Sequence, residues 1–305
     1  MFDMWPKSID WKKIRFGVEM EFVGGDPESL ELLPGWVVSL DERQIDETGE
    51  ESGSEIKPPP LLWEERDQIR VMLDRLHAQG AWVNWSCGLH VHIDLEAWGQ
   101  EMILPLLDAA LLYQETMQSL LQTSPHRTIY CPPVKEDIRK RYVDKPSERA
   151  VLRPGRPQSH RCGINTAAWF DIGTVEIRYA NGSLNEDEIM NTIEFCLRFV
   201  AAIGEGRKLT RDPRKMAIEL GAPVGGYPAP IPIPRWYQER LWLEDGLIPA
   251  VKQLAGELVK DGEILQILPV PDGILIAIED QEGKPFKYVV QPPSEGWKMV
   301  RQVKE

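Results

Sequence analysis

Three stretches of this chain alternate between apolar and polar positions with a period of two, and each carries ionisable groups on its polar face. From Arg15 to Val23, Phe16, Val18, Met20 and Phe22 point one way, and Gly17, Glu19, Glu21 and Val23 the other. From Gly88 to Leu95, the residues Leu89, Val91, Ile93 and Leu95 oppose His90, His92 and Asp94. From Gly173 to Tyr179, the residues Val175, Ile177 and Tyr179 oppose Thr174, Glu176 and Arg178. The period predicts three half-buried strands. One antiparallel sheet would gather their polar sets on one surface, with helices packed on the apolar back.

Further strand candidates are Gly35–Leu40, the short extended piece Ser54–Lys57 ahead of Pro58-Pro59-Pro60, and Cys162–Trp169. Helical spacing marks Trp63–Gly80, Glu96–Gln122 (with Pro105 in its first turns), a short piece around Glu136–Val143, Glu186–Ile203 behind the Asn185 cap, and Trp236–Leu258. Gly221–Pro234 reads as a linker. Beyond Gly262 the pattern is short strands, Ile264–Val270, Ile274–Glu279, Phe286–Gln291 and Trp297–Val303, a small SH3-like all-β module. The expected organisation is α+β, with a catalytic domain over 1–245 and a β module over 246–305.

With 305 residues the chain can bury a sizeable core. Its net charge of −13 argues against general affinity for nucleic acid or an anionic membrane. The charge is uneven: Glu19 to Glu55 holds twelve acidic residues against one basic, Arg43, whereas Arg127 to Arg161 holds ten basic against four acidic. An acidic cradle beside a basic connection suits a site that holds cations and a polyphosphate together, and a long connection rich in Arg and Lys is expected to act as a lid. Four cysteines without CxxC spacing, no apolar run in Met1–Lys13 and no long apolar stretch predict a cytoplasmic protein with free thiols.

Glu19 and Glu21 lie about 6–7 Å apart on one strand face, a spacing at which like charges repel. A divalent cation or a shared proton would offset that repulsion. Three chemistries compete for the gathered face. In the preferred one, Glu19, Glu21, Glu176 and an imidazole hold Mg²⁺ or Mn²⁺ that in turn hold ATP, while Arg178 clamps a transferred phosphoryl group. In the second, His90 and His92 bind zinc for hydrolysis, but such sites recruit further histidines and only His77, His126 and His160 remain. In the third, the face is the solvated surface of a binding protein. Glu55 projects into the same basin if its extended piece joins the sheet, and is otherwise one loop glutamate among many. Arg127 and Arg161 are candidates for phosphate contact.

Seven blocks in order, G-V-E-M-E-F (17–22), S-L-D (39–41), S-E-I-K-P-P (54–59), C-G-L-H-V-H-I-D (87–94), H-R-T-I-Y-C (126–131), R-C-G-I-N (161–165) and T-V-E-I-R-Y-A-N-G-S-L (174–184), resemble the amidoligase family. That family is a bacterial and phage branch of the glutamine synthetase and carboxylate–amine ligase superfamily, and the likeness runs from about Ile14 to Gly204. It implies a curved antiparallel sheet with a catalytic concave face. It also implies an ATP-dependent ligase with Mg²⁺ or Mn²⁺, in which a carboxylate is phosphorylated and an amine attacks the acyl phosphate. By the family's pattern Glu19, Glu21, Asp41, Glu55, Glu176 and one of His90 and His92 line the metal sites. His92 is taken as the ligand, and His90, Arg127, Arg161 and Asn165 face nucleotide or substrate. Glu19, Glu21, Glu176 and Arg178 form the catalytic set, Arg178 steadying the γ-phosphoryl in flight. The acid and amine partners would be small molecules, peptides or protein tails.

Overall fold

A computed structural model describes residues 5–40, 42–153, 161–291 and 298–303. The chain divides into two compact units, 5–153 with 161–232, and 233–303.

The first unit is built on a six-stranded sheet of β1 (Phe16–Phe22), β2 (Val37–Val38), β5 (Ser54–Lys57), β6 (Gly88–Asp94), β7 (Ile164–Asn165) and β8 (Thr174–Asn181). The spatial order is β2-β5-β1-β6-β8-β7, and every pairing is antiparallel. The alternation read from the sequence is visible in β1, where Phe16, Val18, Met20 and Phe22 are buried and the residues between them half-buried. These side chains join Leu89, Val91, Ile93, Val175 and Ile177 in one core. Helices α1 (Asp67–Ala78), α2 (Ile103–Leu120) and α6 (Glu186–Gly204) bury their apolar stripes in the same core. Pro105 falls in the first turn of α2, where a missing N–H breaks no helical bond. The antiparallel sheet with helices on its apolar side is as the period implies.

Several local expectations differ. The strand expected over 35–40 is only Val37–Val38. The polar segment after it holds a small hairpin of β3 (Gln44–Ile45) and β4 (Glu51–Ser52), closed by Asp46 accepting from the Thr48 and Glu50 amides. The strand expected over 162–169 stops at Asn165, whose Oδ1 accepts from the Ala167 amide. That turn starts α5 (Ala168–Ile172), which ends at Gly173 with φ 75°. The basic connection is not irregular over its described part. It folds into α3 (Glu136–Asp144) and α4 (Glu148–Val151), with Ile138, Tyr142, Ala150 and Val151 buried; residues 154–160 lie outside the described set. A further helix, α7 (Pro213–Leu220), is capped by Asp212 accepting from the Lys215 amide.

The second unit places α8 (Arg235–Leu258) against one sheet of β9 (Glu263–Val270), β10 (Gly273–Glu279), β11 (Pro285–Gln291) and β12 (Lys298–Val303). The strands form a meander in the order β12-β11-β10-β9. Val251, Ala255 and Val259 share a core with Ile264, Ile267, Ile276, Ile278 and Val290. An SH3-like all-β module is the expectation; what the described residues form is a helix on a four-stranded meander, because the helix supplies one side of its core. The expected boundary at 245/246 falls inside α8.

Gly163 holds the outer edge of the main sheet. Its carbonyl accepts from the Arg178 amide at 2.8 Å, and a Cβ there would stand 1.9 Å from Cε1 of the fully buried Tyr179 ring. Gly163→Ala should therefore destabilise the first unit by about 1–3 kcal/mol. Thermal or urea unfolding checks this, and an unchanged midpoint would mean that the ring yields freely.

Candidate active site

The register of the sheet assembles a polar face on which the predicted groups stand in adjacent rows. Glu21 lies opposite Glu55 on β5, Glu19 opposite His90 on β6, and His92 opposite Glu176 on β8. Glu176 in turn lies opposite Asn165 on β7. Between Leu89 and Val91 the β6–β8 register shifts by one residue, so that Arg178 and Tyr179 together face His90. Arg178 stays on the polar side and Tyr179 enters the core, as the alternation of β8 requires.

At the centre, Glu19 Oε2 lies 3.0 Å from His90 Nδ1, and Glu19 Oε1 lies 3.4 Å from His92 Nε2. Glu176 Oε1 lies 3.8 Å from His92 Nε2 and 3.5 Å from His90 Nδ1. Glu176 is completely buried; Arg178 Nη1 donates to its Oε1 and Asn165 Nδ2 to its Oε2 at 2.7 Å. Glu21 Oε2 accepts from the Gly88 amide at 2.5 Å. Lys57, on the same face of β5 as Glu55, sets its Nζ 2.5 Å from Glu55 Oε1 and 3.0 Å from Glu19 Oε1.

Charge state follows from this packing. Burial would raise Glu19, but hydrogen bonds and charge from His90 and His92 override it and hold Glu19 far below the usual carboxylate range. Glu176 is likewise lowered: burial opposes ionisation, and Arg178, His90 and His92 outweigh it. Glu55 goes the other way, pushed up to about 8 by burial and by the charges of Glu19 and Glu21, against the pull of Lys57. Lys57 and Arg178 are both raised, since the surrounding carboxylates outweigh their desolvation.

The two histidines differ in kind. Both ring nitrogens of His90 are engaged, Nδ1 with Glu19 and Nε2 with Arg127 Nη2 at 3.4 Å. Since the guanidinium can only donate, His90 carries its proton on Nδ1. His92 Nδ1 lies 3.0 Å from Thr174 Oγ1, while its Nε2 is buried, without a hydrogen bond, and turned to Glu19 and Glu176. An imidazole nitrogen set between two carboxylates is matched either by a proton that it carries or by a cation. The donor separations suit one: around bonds of about 2.1 Å, neighbouring ligand atoms stand about 3.0–3.4 Å apart. Glu19, His92 and Glu176 can thus hold a metal ion, as can Glu19, Glu55 and His90.

The remaining expected site residues divide. Arg127 is buried, and its Nη1 donates to Cys87 O at 2.8 Å and its Nη2 to Arg178 O at 3.3 Å. It braces two strands and His90. Gly88 makes room for it, since a Cβ there would lie 2.3 Å from Arg127 Nη2. Asn165 is also buried and orients Glu176. Arg161 is exposed, next to the stretch 154–160. Asp41 lies outside the described residues. Lys57 and Thr174, neither of them an expected site residue, also contribute to the face; both stand two residues from an expected ligand on the same side of a strand.

No helix among the described residues is long and apolar enough to cross a membrane, and the four cysteines are buried free thiols. No curated protein matches the chain. A family model described as "Putative amidoligase enzyme" matches residues 29–200, which takes in Glu55, both histidines, Asn165, Glu176 and Arg178 and leaves β1 outside. More than half of the 305 residues lie within that match, and the chain belongs to this amidoligase family.

Proposed function

We propose that this protein is an ATP-dependent carboxylate–amine ligase with a glutamine synthetase-like catalytic sheet. The observation that carries the proposal is the convergence of Glu19, His92 and Glu176, with an unpartnered imidazole nitrogen between two carboxylates and Arg178 alongside. Hard oxygen donors with one imidazole suit Mg²⁺ or Mn²⁺. Glu19, His92 and Glu176 would hold the cation, whose charge would offset the negative charge that builds up during phosphoryl transfer.

The chain's own groups do the rest. Asn165 and Arg178 fix both oxygens of Glu176, and Thr174 fixes the ring plane of His92, so the ligands are set before any cation arrives. Arg178 Nε is buried and has no hydrogen-bond partner, which leaves the guanidinium a donor for a phosphoryl oxygen. The reaction balances simply. The acid's carboxylate attacks the γ-phosphorus of ATP, giving an acyl phosphate and ADP. The amine then attacks the acyl carbon, phosphate leaves and an amide bond forms. Coupling to ATP is required because condensation of a carboxylate with an amine is unfavourable in water. The acid and amine are carried by small molecules, peptides or protein tails.

The test is to incubate the protein with ATP, Mg²⁺ and pools of amino acids and peptide acids, with hydroxylamine as a surrogate amine. ADP release and hydroxamate formation that both depend on one acid are expected. Failure to bind nucleotide at all in the presence of Mg²⁺ or Mn²⁺ overturns the proposal. Glu19→Gln is expected to weaken Mn²⁺ binding at least about tenfold, a loss of 1.4 kcal/mol or more, by calorimetry. Arg178→Lys keeps the charge and loses the fork, so kcat should fall about 10²–10³-fold with nucleotide affinity little changed in steady-state and binding measurements.

A further inference from the structure

The polar face has two corners where a cation belongs, and they are not in the same state. One is bounded by Glu19, His92 and Glu176 and contains the buried His92 Nε2 that has no hydrogen bond. The other is bounded by Glu19, Glu55 and His90, and the chain itself enters it: Lys57 Nζ is 2.5 Å from Glu55 Oε1 and 3.0 Å from Glu19 Oε1. Glu19 Oε1 serves both corners, facing Lys57 on one side and His92 on the other.

We propose that the Lys57 ammonium is a built-in substitute for a second metal ion, so that this protein takes a single divalent cation at Glu19, His92 and Glu176. Lys57 is thereby the residue that sets the metal requirement of the site. The inference rests on the functional reading above and sharpens it.

Three observations carry it. The first is space. A divalent ion between Glu19 and Glu55 would bond their oxygens at about 2.1 Å, inside the volume that the ammonium nitrogen fills. The second is attachment. Lys57 sits on β5 two residues from Glu55, and β5 pairs directly with β1, so its ammonium is delivered by the sheet itself rather than by a loop that could swing aside. The third is charge. Among the described residues, the face and its support carry the carboxylates of Glu19, Glu21, Glu55 and Glu176 and the fixed cations Lys57, Arg127 and Arg178. With all of them ionised one negative charge is left over, which one divalent ion more than neutralises. Among the described groups, a second would then meet a set already positive.

The experiment counts metal ions on the full chain without nucleotide. Mn²⁺ is titrated into the protein, with free Mn²⁺ read by electron paramagnetic resonance and heat by calorimetry. Wild type is expected to bind one Mn²⁺. Lys57→Met, close to isosteric but uncharged, is expected to bind two, and Lys57→Arg, which keeps a fixed cation, one. Lys57→Gln is the second uncharged variant should Lys57→Met fold poorly, with thermal unfolding as the check. Two equivalent ions on wild type, or a single ion on both uncharged variants, would overturn the role of Lys57 and leave the metal-dependent ligase reading standing. No Mn²⁺ on any of the proteins would overturn both.

Discussion

Four carboxylates forced onto one side of one sheet are the constraint to which the first unit answers. Glu19, Glu21, Glu55 and Glu176 come from three strands, and the register leaves them no room to disperse. Buried like charges are tolerated only when cations or donors stand among them. Here Lys57, Arg178 and two imidazoles do so, and the cost is visible in Glu55, which burial and its neighbours push toward holding its proton. The apolar side of the same strands supplies the stabilisation that lets such a face exist, through the shared core with α1, α2 and α6.

Behind the charged face is a layer of buried polar groups. Arg127 ties the backbone of Cys87 to that of Arg178 and orients His90. Asn165 does the same for Glu176, and the Gly88 amide for Glu21. Ligands held this way lose little freedom on meeting a cation, which is how a preorganised site gains affinity.

The second unit keeps its own core, in which α8 and β9–β12 complete one another. Among the described residues, none of the groups on the polar face comes from it.

The sequence by itself determined the strands and their faces. Period-two alternation in 16–22, 88–94 and 174–179 is set by local stereochemistry, since successive side chains must point to opposite sides. The glutamates, histidines and Arg178 could therefore be placed on one surface before any coordinates. Helices with strong stripes were equally legible, whereas α7 rests on its Asp212 cap and α5 on an Asn165 side-chain turn, signals easily lost beside a hydrophobic period. Tertiary structure alone decided what each polar group does. Whether an arginine reaches into a cleft or braces a carbonyl depends on strands far apart in sequence. The one-residue register shift opposite His90, the free nitrogen on His92 and the ammonium of Lys57 between Glu19 and Glu55 all arise from pairings between β1, β5, β6 and β8. Such contacts are fixed by register, and no local pattern encodes the register between remote strands.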